Sequence, residues 1–237
     1  MRGGCALRSW ENPCDQPASG NLNPTDEQAR AWMVRTQLRD RGIRDERVLA
    51  VMERVPRHEF IAREFYAQAY GDCPLPIGED QTISQPYIVA LMLEALQLRP
   101  EDRVLEIGAG SGYQTALLAE MAAHVYAIER HASLARAAKE VLDQLGYDNV
   151  TLMIGDGSAG LPANAPYDAI VVAAAAPQIP DPLFEQLREG GRMVLPVGPQ
   201  GAQDLQLVEK VQGRRVVSTL SGCRFVPLIG DQGYGET

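Results

Sequence analysis

The residues best suited to chemistry are three glycines and three carboxylates at strand ends. Glu106-Ile107-Gly108-Ala109-Gly110-Ser111-Gly112-Tyr113 sets glycine at every second position between a strand-type run and a helical one. Glycine lets a backbone turn sharply and approach a ligand, and the N-terminus of the following helix offers unpaired N–H groups. A nucleotide-like ligand is expected across this turn. Glu129 lies 21 residues beyond Gly108, at the end of the next strand-type run. Doubly wound folds place there a carboxylate that accepts both ribose hydroxyls. Asp156, in Gly155-Asp156-Gly157, closes a third run and is a candidate adenine contact. A dinucleotide fingerprint needs G-x-G-x-x-G with Gly or Ala at position 113, where Tyr113 stands, so NAD is disfavoured.

Each signal alone has an ordinary reading. Glu129 could be a solvated acid before a helix, and Gly155-Asp156-Gly157 a simple turn. The conjunction of a Gly turn and two acids in the right order carries the expectation. Glu106 stands in an otherwise apolar run and is expected to bind a cation or amine near the Gly turn, with a local salt bridge as the plainer alternative. His58 and His131 are read as surface residues.

These residues require a sheet to position them. Short β-rich runs at 103–107, 124–128, 150–154, 168–174 and 192–197 alternate with helical stretches at about 113–122, 131–145 and 182–189. Such alternation implies a parallel sheet covered by helices on both faces. Residues 204–211 and 214–220 flank Gln212-Gly213 and predict an antiparallel hairpin closing the sheet edge. Upstream, Thr25-Asp26-Glu27-Gln28 fits a capping box opening a helix to about Asp40, and a second helix runs from Asp45 to Pro56. Residues 71–86, with Pro74, Pro76 and Pro86, read as a loop. Ser84 sits where an N-cap would, opening a helix to about Leu98.

Composition bounds the answer. The 237 residues are 45% hydrophobic, enough for one sizeable core, and the formal net charge is −9. No apolar run approaches the ~18–20 residues of a membrane span, and no basic block offers a footprint for a phosphate backbone. Neither membrane nor nucleic acid is expected as a partner. The four cysteines lack C-x-x-C spacing and the three histidines are scattered, so no metal site is expected. Residues 1–24 lack apolar periodicity and read as a disordered tail ahead of one domain, 25–237. Within it, 25–100 form a helical part with a substrate loop and 101–237 the cofactor-binding sheet.

From about Val34 to Leu228 the chain resembles the protein-L-isoaspartate (D-aspartate) O-methyltransferase family. The motifs are Leu75-Pro76-Ile77-Gly78, Gln81-Thr82-Ile83-Ser84-Gln85-Pro86, Val104 through Thr115, Gly155-Asp156-Gly157, Tyr167-Asp168-Ala169-Ile170, Leu195-Pro196-Val197-Gly198 and Arg224-Phe225-Val226-Pro227-Leu228. The Gly turn alone would indicate only a class I methyltransferase, whereas Thr-Ile-Ser-Gln-Pro with Phe-Val-Pro-Leu is far more specific. The resemblance implies a Rossmann-like α/β fold and S-adenosyl-L-methionine as cofactor, with S-adenosyl-L-homocysteine as product. It puts Ser84 at the family's catalytic serine. It assigns Thr82, Ile83, Gln85, Glu106, Gly108, Ala109, Gly110, Gly112, Glu129, Asp156 and Gly157 to the cofactor, and Ser84, Val226 and Pro227 to the substrate. A cytoplasmic monomer acting on isoaspartyl proteins and peptides is expected.

Methyl transfer to a carboxylate suits such a site. An aspartyl-type carboxyl, with a pKa of about 3.9, is already ionised at neutral pH and needs no general base. The site must align two reactants and strip water from the nucleophile, which orientation can reward with roughly 7–11 kcal/mol. A hydroxyl donor such as Ser84 suits that task beside an N-cap role worth about 1 kcal/mol. A nucleophilic Ser84 is excluded by the lack of a G-x-S-x-G elbow. The methyl ester leaves better than the acid, so the chain amide closes a succinimide whose hydrolysis returns some normal aspartate. The rivals are another class I methyltransferase acting on a small molecule or other protein side chain, a cofactor-binding module without turnover, and a nicotinamide oxidoreductase.

Overall fold

The computed structural model describes residues 25–235; the expected tail 1–24 lies outside them. Thr25 and Gln28 form the capping box: the Thr25 hydroxyl accepts from Gln28 N–H while the Gln28 side chain accepts from Thr25 N–H. Helix α1 (Asp26–Trp32) then continues as a wider π-type turn over Met33–Arg39. Helix α2 (Glu46–Arg54) starts on the Asp45 cap and ends before Pro56.

Residues 71–86 are not wholly loop. Strands β1 (Leu75–Gly78) and β2 (Gln81–Ile83) pair antiparallel, Leu75 opposite Ile83 and Pro76 opposite Thr82. The prolines hid this hairpin from sequence reading, yet a two-stranded ribbon tolerates proline because each strand has an unpaired edge. Helix α3 (Pro86–Leu96) follows with Pro86 in its first turn. The residue at the N-cap position is Gln85, not Ser84, and neither side chain caps the helix. That role falls to Asp72, whose Oδ1 accepts from Tyr87 N–H.

The remainder builds one seven-stranded sheet, in the order β5-β4-β3-β6-β7-β8-β9. Its strands are β3 (Arg103–Ile107), β4 (His124–Glu129), β5 (Val150–Ile154), β6 (Tyr167–Val172), β7 (Leu187–Val197), β8 (Gln203–Val211) and β9 (Arg214–Cys223). The first five are parallel, and β7-β8-β9 form an antiparallel meander. Helices α4 (Tyr113–Ala119), α5 (Ala132–Gln144) and α6 (Asp181–Gln186) complete the layers. The expected doubly wound, mostly parallel sheet with a C-terminal hairpin and N-terminal helices is therefore present.

Strand alternation splits the core in two. Val104, Val125, Ala169 and Val194 face the side covered by α1–α4, while Leu105, Ile170, Met193 and Leu195 pack with Leu183 and Phe184 of α6 on the other. Glu106 shares its parity with Val104, so the pleat sends it beneath α4. Among the described residues no helix is long and apolar enough to cross a membrane, and no group of three metal-ligating side chains occurs.

Candidate active site

A cleft opens at the carboxyl ends of β3, β4 and β6, where open parallel sheets bind ligands. Its floor is the Gly turn. Gly108, Ala109 and Gly110 line it. Gly112 does not: it opens α4 at φ 88°, and an added Cβ would come within 3.1 Å of Ala138 on α5. Only glycine allows that conformation and that helix contact together, so Gly112 shapes the turn from behind. Gly157 lines the cleft, and a Cβ there would meet Ile107 Cγ2 at 2.8 Å, which presses this turn against β3.

Glu129 ends β4 with its carboxylate turned to the Gly turn. Its Oε2 accepts from Gly110 N–H at 2.8 Å and its Oε1 from His131 N–H at 2.9 Å, and the side chain lines the cleft. Two oxygens at this edge match the diol of a ribose. Asp156 behaves differently. Its Oδ1 accepts from Ser158 N–H at 2.7 Å and its Oδ2 from Asp231 N–H at 3.0 Å, while Gly155 and Gly157 on either side line the cleft. Partial burial would raise its pKa, but the N–H donors of Asp231 and Ser158 hold the carboxyl below the usual range. The Asp156 side chain clasps the C-terminal segment instead of entering the cleft.

Glu106 contradicts its expectation. It is fully buried, meets no cation, and does not line the cleft. Its Oε2 accepts from the Thr115 hydroxyl at 2.5 Å, and the Gln114 side chain lies against the same carboxyl. Burial above all, with the charge of Glu129 adding to it, raises its pKa to about 8. At neutral pH the group is mainly an uncharged acid, as burial without a counter-charge demands. Neither the cation-binding reading nor the salt bridge holds, because the strand's pleat aims it under α4. Gln114, on the first turn of α4, does line the cleft and is buried, with its side chain set against the Glu106 carboxyl.

The β1–β2 hairpin roofs the cleft with Ile77, Gln81, Thr82 and Ile83. At its tip the Glu79 carboxylate accepts from the Ser133 hydroxyl on α5 and lies 3.8 Å from His131 Nδ1. His131 lines the cleft, so it is not merely a surface residue. His58 is also largely covered, with Nδ1 2.6 Å from the Tyr70 hydroxyl. Arg130 and His131 were missed, although their position directly after Glu129 at a strand end was a usable signal.

A second cavity adjoins the first. Thr82, Ser84, Ala173 and Val226 belong to both, and Pro227 lines the first. Gln85 faces only the second; its Nε2 donates to Asp72 at 2.6 Å, which turns it from the cofactor side. The half-buried Ser84 hydroxyl makes no hydrogen bond among the described residues and stands where the two cavities meet. Such an arrangement holds two molecules end to end with one free hydroxyl between them.

Comparisons with known proteins agree with this geometry. The family model described as protein-L-isoaspartate(D-aspartate) O-methyltransferase matches residues 29–233. The protein-L-isoaspartate O-methyltransferase of Koribacter versatilis (strain Ellin345) is 58% identical over 205 residues, covering 86% of this chain and 92% of the relative. Among solved structures, a protein-L-isoaspartate O-methyltransferase superposes with a TM-score of 0.78 at 30% identity, over 87% of this chain and 67% of that one. A Plasmodium falciparum protein described as a putative enzyme of the same kind, in complex with S-adenosyl-L-homocysteine, superposes with a TM-score of 0.75 at 28% identity, over 84% and 98% of the two chains.

Proposed function

From the premise that the chain belongs to the protein-L-isoaspartate(D-aspartate) O-methyltransferase family, we propose how its two adjoining cavities serve that family's reaction. The protein is an S-adenosyl-L-methionine-dependent methyltransferase acting on isoaspartyl residues. The bound cofactor supplies a methyl group on a sulfonium and departs as the neutral thioether. The residues present fit it: Glu129 offers two acceptor oxygens for a ribose diol, Gln114 a buried amide on the cleft wall, and Ile107 and Ile128 apolar walls.

The observation that carries the assignment of roles is the meeting of the two cavities at Thr82, Ser84, Ala173 and Val226. In this reading the α-carboxylate of the isoaspartyl residue enters through the second cavity, already ionised and in need of no base. The Ser84 hydroxyl donates to the carboxylate oxygen that does not attack. Ser84 thereby fixes the direction of the other oxygen, and positioning of this kind lowers a displacement barrier without proton transfer. Val226, shared by both cavities, flanks the acceptor, whereas Pro227, expected there as well, lines only the first cavity and faces the cofactor side. Thr82 and Ile83 press the hairpin onto the cofactor side, while Gly108, Ala109, Gly110 and Gly157 supply the close-fitting backbone. Gln85, Glu106, Gly112 and Asp156 support the site without facing the cofactor.

The test is methyl transfer to paired peptides differing only in isoaspartate or aspartate at one position. Turnover on the isoaspartyl peptide alone is expected, because the extra backbone methylene moves the carboxylate relative to the chain. Equal turnover on both would overturn the proposed alignment at Ser84.

A further inference from the structure

Resting on that reading, we propose that Arg224 is a specificity-determining residue whose guanidinium receives an acidic side chain flanking the isoaspartyl residue of the substrate. Among the residues lining the acceptor cavity, Arg224 is the one charged at neutral pH. Cys223 beside it stays a neutral thiol, because burial pushes its pKa up to about 11. The Arg224 side chain is exposed and makes no hydrogen bond or ion pair among the described residues. Other guanidiniums with no such partner, those of Arg35, Arg63, Arg136 and Arg214, do not line the acceptor cavity, so its position and not its lack of a partner sets Arg224 apart.

The backbone presents Arg224 from a fixed position. It follows the last residue of β9; Phe225 N–H donates to Gln203 Oε1 at 3.0 Å, and the Val226 carbonyl accepts from Ala175 N–H at 2.7 Å. The reacting carboxylate is not its partner. That group must reach the junction at Ser84, and a guanidinium clamped on it would withdraw the electron pair that attacks the methyl group. An exposed position on the cavity wall suits a second carboxylate of the same peptide. With a net charge of −9 the protein otherwise repels acidic peptides, so a local cation decides which of them dock. Arginine is suited to this, since its planar fork pairs a carboxylate bidentately.

The experiment uses the full chain, S-adenosyl-L-methionine and two isoaspartyl peptides identical except for Glu or Gln at the flanking positions. The wild type is expected to favour the Glu peptide in kcat/KM by about fivefold at low salt, the scale of an exposed ion pair, and to lose the preference at high salt. Arg224→Gln should abolish the preference by raising KM for the Glu peptide with little change in kcat, and Arg224→Lys should restore part of it. S-adenosyl-L-homocysteine affinity, measured by calorimetry on each variant, separates a lost peptide contact from a damaged fold. A wild type without preference, or a preference intact in Arg224→Gln, overturns the assignment. A wild type that methylates neither peptide overturns the underlying reading of the acceptor, and this one with it.

Discussion

Asp72 Oδ1 accepts a hydrogen bond from the backbone N–H of Tyr87 at 3.0 Å, so the first turn of α3 is capped by a carboxylate 15 residues upstream. The same carboxylate takes the Gln85 amide at 2.6 Å and pairs with Arg41. The first turn of α3, the residue before it and the turn that follows the π-type segment are thereby tied at one buried acid, and Ser84 is left out of the capping and open to the cavities.

This division of labour separates two substitutions. Ser84→Ala is expected to lower turnover at least tenfold, with melting temperature and S-adenosyl-L-homocysteine affinity nearly unchanged. Asp72→Ala is expected to destabilise by about 1–3 kcal/mol, since it removes a cap and leaves polar partners unpaired. Thermal unfolding and turnover on the same preparations decide the matter, and a lowered melting temperature in Ser84→Ala with full activity would reverse the assignment.

Glu79 fastens the hairpin tip to α5 through Ser133, with His131 nearby. Glu79→Ala should quicken release of S-adenosyl-L-homocysteine about two- to fivefold, the scale of one exposed polar contact. Stopped-flow displacement measures this directly, and an unchanged off-rate would mean that the roof is held by Ile77 and Ile83 alone.

Glu129→Ala should weaken S-adenosyl-L-homocysteine binding at least tenfold. The substitution removes two acceptor oxygens and frees the N–H groups of Gly110 and His131 that they hold. Calorimetry on the folded variant checks it.

Glu106 makes stability depend on pH in a defined direction. Its pKa rises from an ordinary 4.5 to about 8 on folding, so the folded state binds the extra proton. The stability this group contributes is full below about 4.5 and falls as pH rises through about 8. Glu106→Gln keeps the shape without the titration. The urea midpoint of the variant relative to wild type should therefore increase between pH 5 and pH 8, and a constant difference would mean that Glu106 does not hold its proton.

Local pattern was enough for much of this protein. The capping box at Thr25, the strand at Arg103–Ile107, the Gly turn and Glu129 are legible because each depends on neighbours within a few residues or on period-two alternation. The order of acids at strand ends followed from the same periodicity, and the family motifs added the acceptor segment around Ser84. Side-chain direction and long-range partnership were decided by tertiary structure. Nothing near Ser84 in the chain says that Asp72 caps its helix. The strand's register, not residue type, sends Glu106 under α4 and leaves it protonated. Asp156 is drawn away by the backbone of Ser158 and Asp231, the latter 75 residues distant. The prolines of 71–86 masked a hairpin that exists because it packs over the cleft. Sequence fixes which groups are available at each strand end, but a side chain's partner is set by whichever donor or charge the packed chain brings within about 3 Å, and that distance exists only after folding.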